Sequence, residues 1–456
     1  MAANTHVYIQ KSGTDNKKKG TYSLWLKRSL ISSQQYVIGN LNDANNYGYI
    51  RFKADDILQV LSFYSSATNA SLKTNRKFRD TNAWYHIVVR IDMAQAATND
   101  RMRLYVNGVE ETSYSAQSAS SDVNNGLLIN SASTGHRIAS QDTVSGERFD
   151  GLISHVHYCD GYSYGPEEFG ETDSTTGQWK IKVDPSVTYG STGYFMFKDN
   201  ASLNDQSGNS NNFTAGAGGA PTPTVDSPSN VFATFNALDN YLGGGTLANG
   251  NTKYTSVSSK HDFAVSTLGM ESGSGKFYAE FKVHQDTDYN IIGISDHSYQ
   301  GSNQELSEDN YSYGYYNDTS DGKVRANSSN VLTGMPDFGN GDIIGVAVDL
   351  ENHKLYFSKN GTFINSGDPT SGATGTGAVS IQDLSSVSTN YGQGVYFFAA
   401  GLWNTSASGS YSANFGNGYF GTTAITSEGT NASGIGKFEY DVPTGYTALS
   451  TKGLNE

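Results

Sequence analysis

The chain has 456 residues, a length that suits two or three domains, with 51 glycines, 30 tyrosines and only 8 prolines. So few prolines exclude a disordered Gly/Pro chain, and a formal charge of −14 excludes nonspecific nucleic-acid binding and attraction to anionic lipid. The single cysteine, Cys159, excludes an intramolecular disulfide framework, and no apolar run is long enough to span a membrane.

The first 20 residues have no apolar core and do not read as a secretory signal. Residues 21–28 (TYSLWLKR), 47–52 (YGYIRF) and 57–63 alternate in the period of two expected of strands. Between 84 and 108, Ile87, Val89 and Ile91 alternate, then Met102, Leu104 and Val106, and the segment closes on Asn107-Gly108. That is a hairpin whose tight turn demands positive φ. Further strands are expected at 149–161 (FDGLISHVHYCDG) and 193–198 (GYFMFK), with Pro166 to Phe169 able to form one helical turn. Residues 215–230, AGAGGAPTPTVDSPSN, hold three of the eight prolines and read as an extended linker. The second half repeats the hairpin between 341 and 361. There Ile344, Val346 and Val348 alternate, then Leu355 and Phe357, and the turn is Asn360-Gly361. The expected fold is therefore all-β. Two antiparallel sandwiches occupy 1–214 and 253–421, a linker and joining segment fills 215–252, and a tail (422–456) packs back on the second sandwich.

The first half resembles the laminin-G-like, concanavalin-A-like lectin family at TYSLWLK (from Thr21), WYHIV (from Trp84), LYVNG (from Leu104) and FDG (from Phe149). DQSGN, from Asp205, resembles a turn of that family usually found near the start of such a domain. The second half resembles SPRY domains at GKFYAE (from Gly275), GIS (from Gly293), the 341–361 hairpin and NFG (from Asn414). The combination, with DSPSN between the halves and PTGYTAL near the end, is similar to structural proteins of tailed, marine-type bacteriophages. That resemblance implies a virion-surface location, other tail or capsid proteins as partners, and the trimers common among fibre proteins.

Three constellations carry candidate chemistry. Glycosidases on such sandwiches need carboxylates facing across a cleft. Glu168, Glu171 and Asp173 cluster, but in a Gly/Thr-rich turn, so no enzymatic role is expected. His155, His157 and Cys159 alternate along one strand, about 7 Å apart, and could offer part of a zinc site; the competing expectation puts Val156 and Tyr158 in the core and the histidines opposite. No cofactor is expected except calcium, for which Asp199, Asn204, Asp205 and Asn209 supply hard oxygens. Tyr311, Tyr313 and Tyr315 share one strand face, while Tyr289, Tyr299, Trp403 with Asn404, and Tyr411 fall in or beside loops. Aromatic rings with amides and carboxylates suit sugar recognition, and SPRY domains hold peptide partners with loops at one end. The function read from the sequence is a non-enzymatic tail fibre, tail appendage or head decoration that adheres to a host-surface glycan or protein. The alternatives are a cellular carbohydrate-binding protein and a polysaccharide-degrading tail enzyme.

Overall fold

The structure, a computed structural model, describes residues 5–9, 16–118, 135–141, 147–198, 201–239, 244–257, 261–285, 289–296, 305–318, 320–387, 394–402 and 408–456. It is nearly all β and divides into two compact units, Met1–Thr222 with Ser227–Ser229, and Pro223–Asp226 with Asn230–Glu456. Among the described residues no helix is long and apolar enough to cross a membrane.

The first unit is a sandwich. One sheet runs in the order Tyr114–Ser118, Ala67–Lys77, Ile57–Tyr64, Asn46–Phe52, Gln35–Asp43, His136–Ile138, Val7–Ile9, Thr214–Ala215. The other runs Tyr194–Met196, Gly151–Asp160, Lys19–Arg28, Trp84–Asp92, Met102–Val106, Val109–Glu110. The alternating residues of both meet in one core, with Leu24, Leu26, Ile50, Val60, Ile87, Val89, Leu104 and Val156 all buried. The outer face of the second sheet is buried as well. There Trp25 and His86 stack at 4.7 Å, and Trp179, from the Trp179–Ile181 strand, stacks on His86 at 5.9 Å. The expected single turn is a short 3-10 helix, Pro166–Glu168.

The second unit has the same plan. Its larger sheet runs Thr246–Ala248, Lys253–Thr255, Ser410–Asn414, Lys276–Gln285, Ile343–Asp349, Lys354–Lys359, Thr362–Phe363. The facing sheet runs Asp262–Val265, Val395–Leu402, Asn290–Ser295, Ser312–Tyr316, Gly322–Ala326, Ser329–Met335. Ile344, Val346, Val348, Leu355 and Phe357 all enter its core. Both hairpins turn as their Asn-Gly pairs require: φ is +50° at Asn107 and +80° at Gly108, +49° at Asn360 and +81° at Gly361. The chain before residue 253 is not all linker. Ala233 and Phe235 sit in the second core, and Ala233 N donates to Leu449 O at 3.0 Å. Phe438, Val442, Tyr446 and Ala448 pack with Phe232, Tyr278, Ala347 and Tyr356 in a further apolar layer.

Candidate functional site

Antiparallel register gathers one end of the second sandwich. Asn290 pairs with Leu402, Ile291 with Tyr316, and Asp262 with Leu402. The starts of the strands at Asn290 and Asp262 and the ends of those at Tyr316 and Leu402 therefore share a rim. Tyr289, at φ +77°, puts its ring 5.9 Å from that of Tyr316. Arg325 lies 5.6 Å from the Tyr316 ring centre and 3.3 Å from Glu305. Burial pushes the Glu305 carboxyl up to about 7, with Arg325 opposing and Glu308 adding. The base of the rim is fixed by polar contacts. Asn290 N donates to Asn317 Oδ1 at 2.5 Å, Asn317 Nδ2 donates to Phe338 O at 2.9 Å, and the Tyr411 hydroxyl lies 2.5 Å from Asn290 Oδ1. Tyr316 is itself buried, with Phe263, Ile291 and Leu306, so of these two rings Tyr289 is the one that is part exposed.

Of the aromatic set expected to bind, Tyr289 is part exposed at this rim, whereas Tyr411, expected in or beside a loop, is buried in the Ser410–Asn414 strand and belongs to the core. Tyr299, Trp403 and Asn404 lie outside the described residues, although Trp403 directly follows Leu402. Tyr313 and Tyr315 are corrections. They do share a face with Tyr311, but it is the core face: both are buried, the Tyr313 hydroxyl accepts from Gln382 N, and the Tyr315 hydroxyl bonds to Pro336 O. Tyr311 packs partly buried on the same core at the far end of its strand. Period two tells which residues share a face, not which face is buried. Tyr316, one residue off that alternation, points to the opposite face, where it too is buried, with Phe263, Ile291 and Leu306.

The calcium reading does not fit the donors present. Asp199 lies outside the described residues. Asp205 Oδ1 accepts from Phe195 N and Ser207 N, at 2.8 and 2.9 Å, and Oδ2 from Ser207 Oγ and Asn211 N, both at 2.8 Å. Four donors fill the carboxylate. The Asn209 amide donates to Gly190 and Gly193 carbonyls, so DQSGN ties a loop to the sheet edge, and Asn204 is exposed beside it. Among the described residues no three His, Cys, Asp or Glu are grouped to hold a metal. His157 stacks on Phe195 at 4.0 Å and bonds through Nδ1 to the Tyr189 hydroxyl. A bulge with φ +46° at His155 breaks the alternation, and burial pushes the Cys159 thiol up, away from the thiolate a zinc ion needs. Val156 and Tyr158 do face the core.

Two arrangements that resemble catalytic groups are structural. Glu171 and Asp173 flank Lys180 at 3.2 and 3.4 Å across a hairpin, and bonds from Thr176 N and Thr175 N hold Asp173 down at about 2, the opposite of a general acid. Ser23 Oγ lies 2.8 Å from His86 Nε2, but Trp179 Nε1–H donates to His86 Nδ1 at 2.9 Å. Burial lowers His86 to about 3, so the ring is neutral, and Nε2 must carry the proton and donate to Ser23. It cannot take the serine proton.

Residues 2–161 match Laminin_G_3, of the concanavalin A-like lectin/glucanases superfamily, and residues 276–394 match the SPRY domain. No curated protein is significantly similar to the chain. Among solved structures, the SPRY domain of human HERC1 is similar at 15% identity, covering 39% of this chain and 96% of that one, with a TM-score of 0.30. The TRIM65 PSpry domain is 10% identical over 40% of this chain and 88% of its own, TM-score 0.29. The SAP-like pentraxin of Limulus polyphemus is 14% identical over 34% and 70%, TM-score 0.26. A lectin-type domain and a SPRY domain suggest a β-sandwich module for binding or adhesion. The chain thus carries a concanavalin A-like domain of the laminin-G type in its first unit and a SPRY domain in its second.

Proposed function

We propose that the protein is a non-enzymatic virion-surface component of a tailed bacteriophage, a tail fibre, tail appendage or head decoration, whose SPRY rim adheres to a host-surface glycan or protein. The observation that carries the adhesion reading is the pairing of Asn290 with Leu402 and of Ile291 with Tyr316. It brings the part-exposed Tyr289, packed on the buried Tyr316 ring, and the chain leading into Trp403 to one end over a hydrogen-bonded base. The virion part is supported by the sequence resemblance, DSPSN and PTGYTAL included. Such a protein needs no chemistry: weak sites multiply when many copies sit on one particle.

Trp403→Ala in the full chain is expected to weaken binding to host cells roughly ten- to hundredfold with the melting temperature unchanged. Joint loss of binding and stability would make Trp403 a core anchor instead. A wild-type chain that binds no host surface would favour a purely architectural role. New reducing ends on incubation with host polysaccharide would replace the adhesin with an enzyme. Antibody labelling of purified particles tests the virion assignment separately.

A further inference from the structure

At the other end of the Lys276–Gln285 strand, about 30 Å from the rim, the SPRY sandwich has a cavity of about 280 Å³. Its walls come partly from that strand and partly from residues 432–456, beyond the segment that matches the SPRY family. Lys276, Phe277, Glu351, Ser433, Tyr446 and Thr447 line it. Three features describe what it suits. Thr447 is 94% buried, by its 6% exposure, and its Oγ1 has no hydrogen-bond partner. A buried hydroxyl left unmatched is a cost unless something supplies the missing bond. Lys276 Nζ lies 3.0 Å from Asp349 and 3.6 Å from Glu351, and Glu456 also lines the cavity, so one donor sits among several acceptors. The carboxylates disfavour an anion and the ammonium disfavours a cation. Phe277 and the Tyr446 ring (fixed by its hydroxyl donating to Pro369 O at 3.1 Å) add apolar walls, and Ser433 adds a further hydroxyl.

We infer that this cavity takes a neutral polyhydroxylated ligand the size of one sugar ring, with adjacent hydroxyls bridging Lys276 and Glu351 and a third meeting Thr447 Oγ1. The site is separate from the rim and stands whether or not the rim binds.

The test is saturation-transfer NMR on the full chain with D-glucose, D-galactose, D-mannose and N-acetyl-D-glucosamine, and with methyl phosphate, whose methyl protons can report, as the anionic control. At least one sugar is expected to receive transfer and the phosphate none. Thr447→Val keeps the shape and removes a hydroxyl that nothing in the protein uses. It should weaken sugar binding roughly tenfold while melting stays unchanged or rises. Glu351→Gln, on a half-exposed residue, should weaken it without touching the fold, and Trp403→Ala should leave it alone. Transfer to no sugar, or to methyl phosphate instead, overturns the inference. So does binding that survives both Thr447→Val and Glu351→Gln, or that Trp403→Ala abolishes. A lower melting temperature in Thr447→Val would show that the hydroxyl serves the fold and would also overturn it.

Discussion

In the first unit Asn107 Oδ1 accepts from His86 N at 2.8 Å, and in the second Asn360 Oδ1 accepts from Ile343 N at 2.9 Å. Each turn glycine lies under an aromatic ring from a later segment, Gly108 under Trp179 and Gly361 under Tyr440. The two hairpins thus solve one problem in one way. The buried charges do not. In the first unit Arg28 and Asp56, both fully buried, pair at 3.2 Å, with Arg79 on the other carboxylate oxygen and Phe52 under the guanidinium. In the second, Glu280 is buried with no cation bonded to it. It accepts instead from Tyr440 N at 2.8 Å, Glu439 N at 2.9 Å and Asn414 Nδ2 at 3.2 Å. The same architecture tolerates an ion pair or a carboxyl tied to backbone, and pH distinguishes them.

The largest expected effect concerns where the second unit begins. A fragment from residue 253 lacks Phe232, Ala233 and Phe235, all buried. It should be insoluble, whereas 230–456 should fold; equal solubility of the two would remove the joining segment from the core. Next, Asp56→Asn keeps a residue that tolerates φ +66° but leaves Arg28 buried without its counter-charge. A loss of about 3–5 kcal/mol is expected by denaturant unfolding, and a loss below ~1 kcal/mol would show that water or rearrangement compensates.

The pH responses should then diverge. Bonds from Ser32 N, Arg79 and Arg28 outweigh the burial of Asp56 and hold its carboxyl below the ordinary value. Its stabilisation is complete above the unfolded value near 4 and is lost as pH falls further. Burial pushes Glu280 up to about 7 against the bonds it accepts, with Glu439 adding to the rise. A raised carboxyl binds a proton in the folded state that the unfolded state releases. Its contribution is therefore complete below about 4.5 and is lost as pH rises through 7, by at most ~3 kcal/mol. Differential scanning calorimetry between pH 5 and 8 should show the second unit's transition falling less in Glu280→Gln than in the wild type, since Glu305 of the same unit is raised to about 7 as well, while the Asp56 contribution stays constant. Equal falls in the two proteins would mean Glu280 stays ionised throughout.

The smallest effect tests the likeness itself. A Cβ on Gly108 would sit 2.5 Å from Trp179, and one on Gly361 would sit 2.6 Å from Tyr440. Gly108→Val and Gly361→Val should each cost about 1–3 kcal/mol, from positive φ and crowding together. Markedly unequal losses would break the parallel.

These details mark how far the sequence could be read. Alternation at Ile87, Val89 and Ile91, and at Ile344, Val346 and Val348, located both sandwiches, because an inward face must be apolar every second residue. The Asn-Gly pairs located both turns. Alternation could not say what covers the outer faces. Trp179 reaches His86 from 93 residues away, and Glu280 meets Glu439 and Tyr440 across about 160. Tyr313 and Tyr315 read as binding residues in the sequence because a phenol suits a core with a carbonyl in reach as well as it suits a sugar. At the rim, Glu305 and Arg325 meet only through the fold and leave no local pattern.

The stitching of residues 230–233 to 449–452 has a mechanical consequence. Val231 N bonds to Thr451 Oγ1, Thr451 N donates to Val231 O at 2.9 Å, and Lys452 N bonds to Asn230 Oδ1. The incoming and outgoing strands of the second unit therefore run side by side in opposite directions. Tension between them would peel these bonds one at a time, whereas tension carried from Asn230 to a ligand held elsewhere on the unit would not separate them. Neighbouring termini also make the unit a self-contained plug that could be spliced into a surface loop of another protein or circularly permuted across this seam.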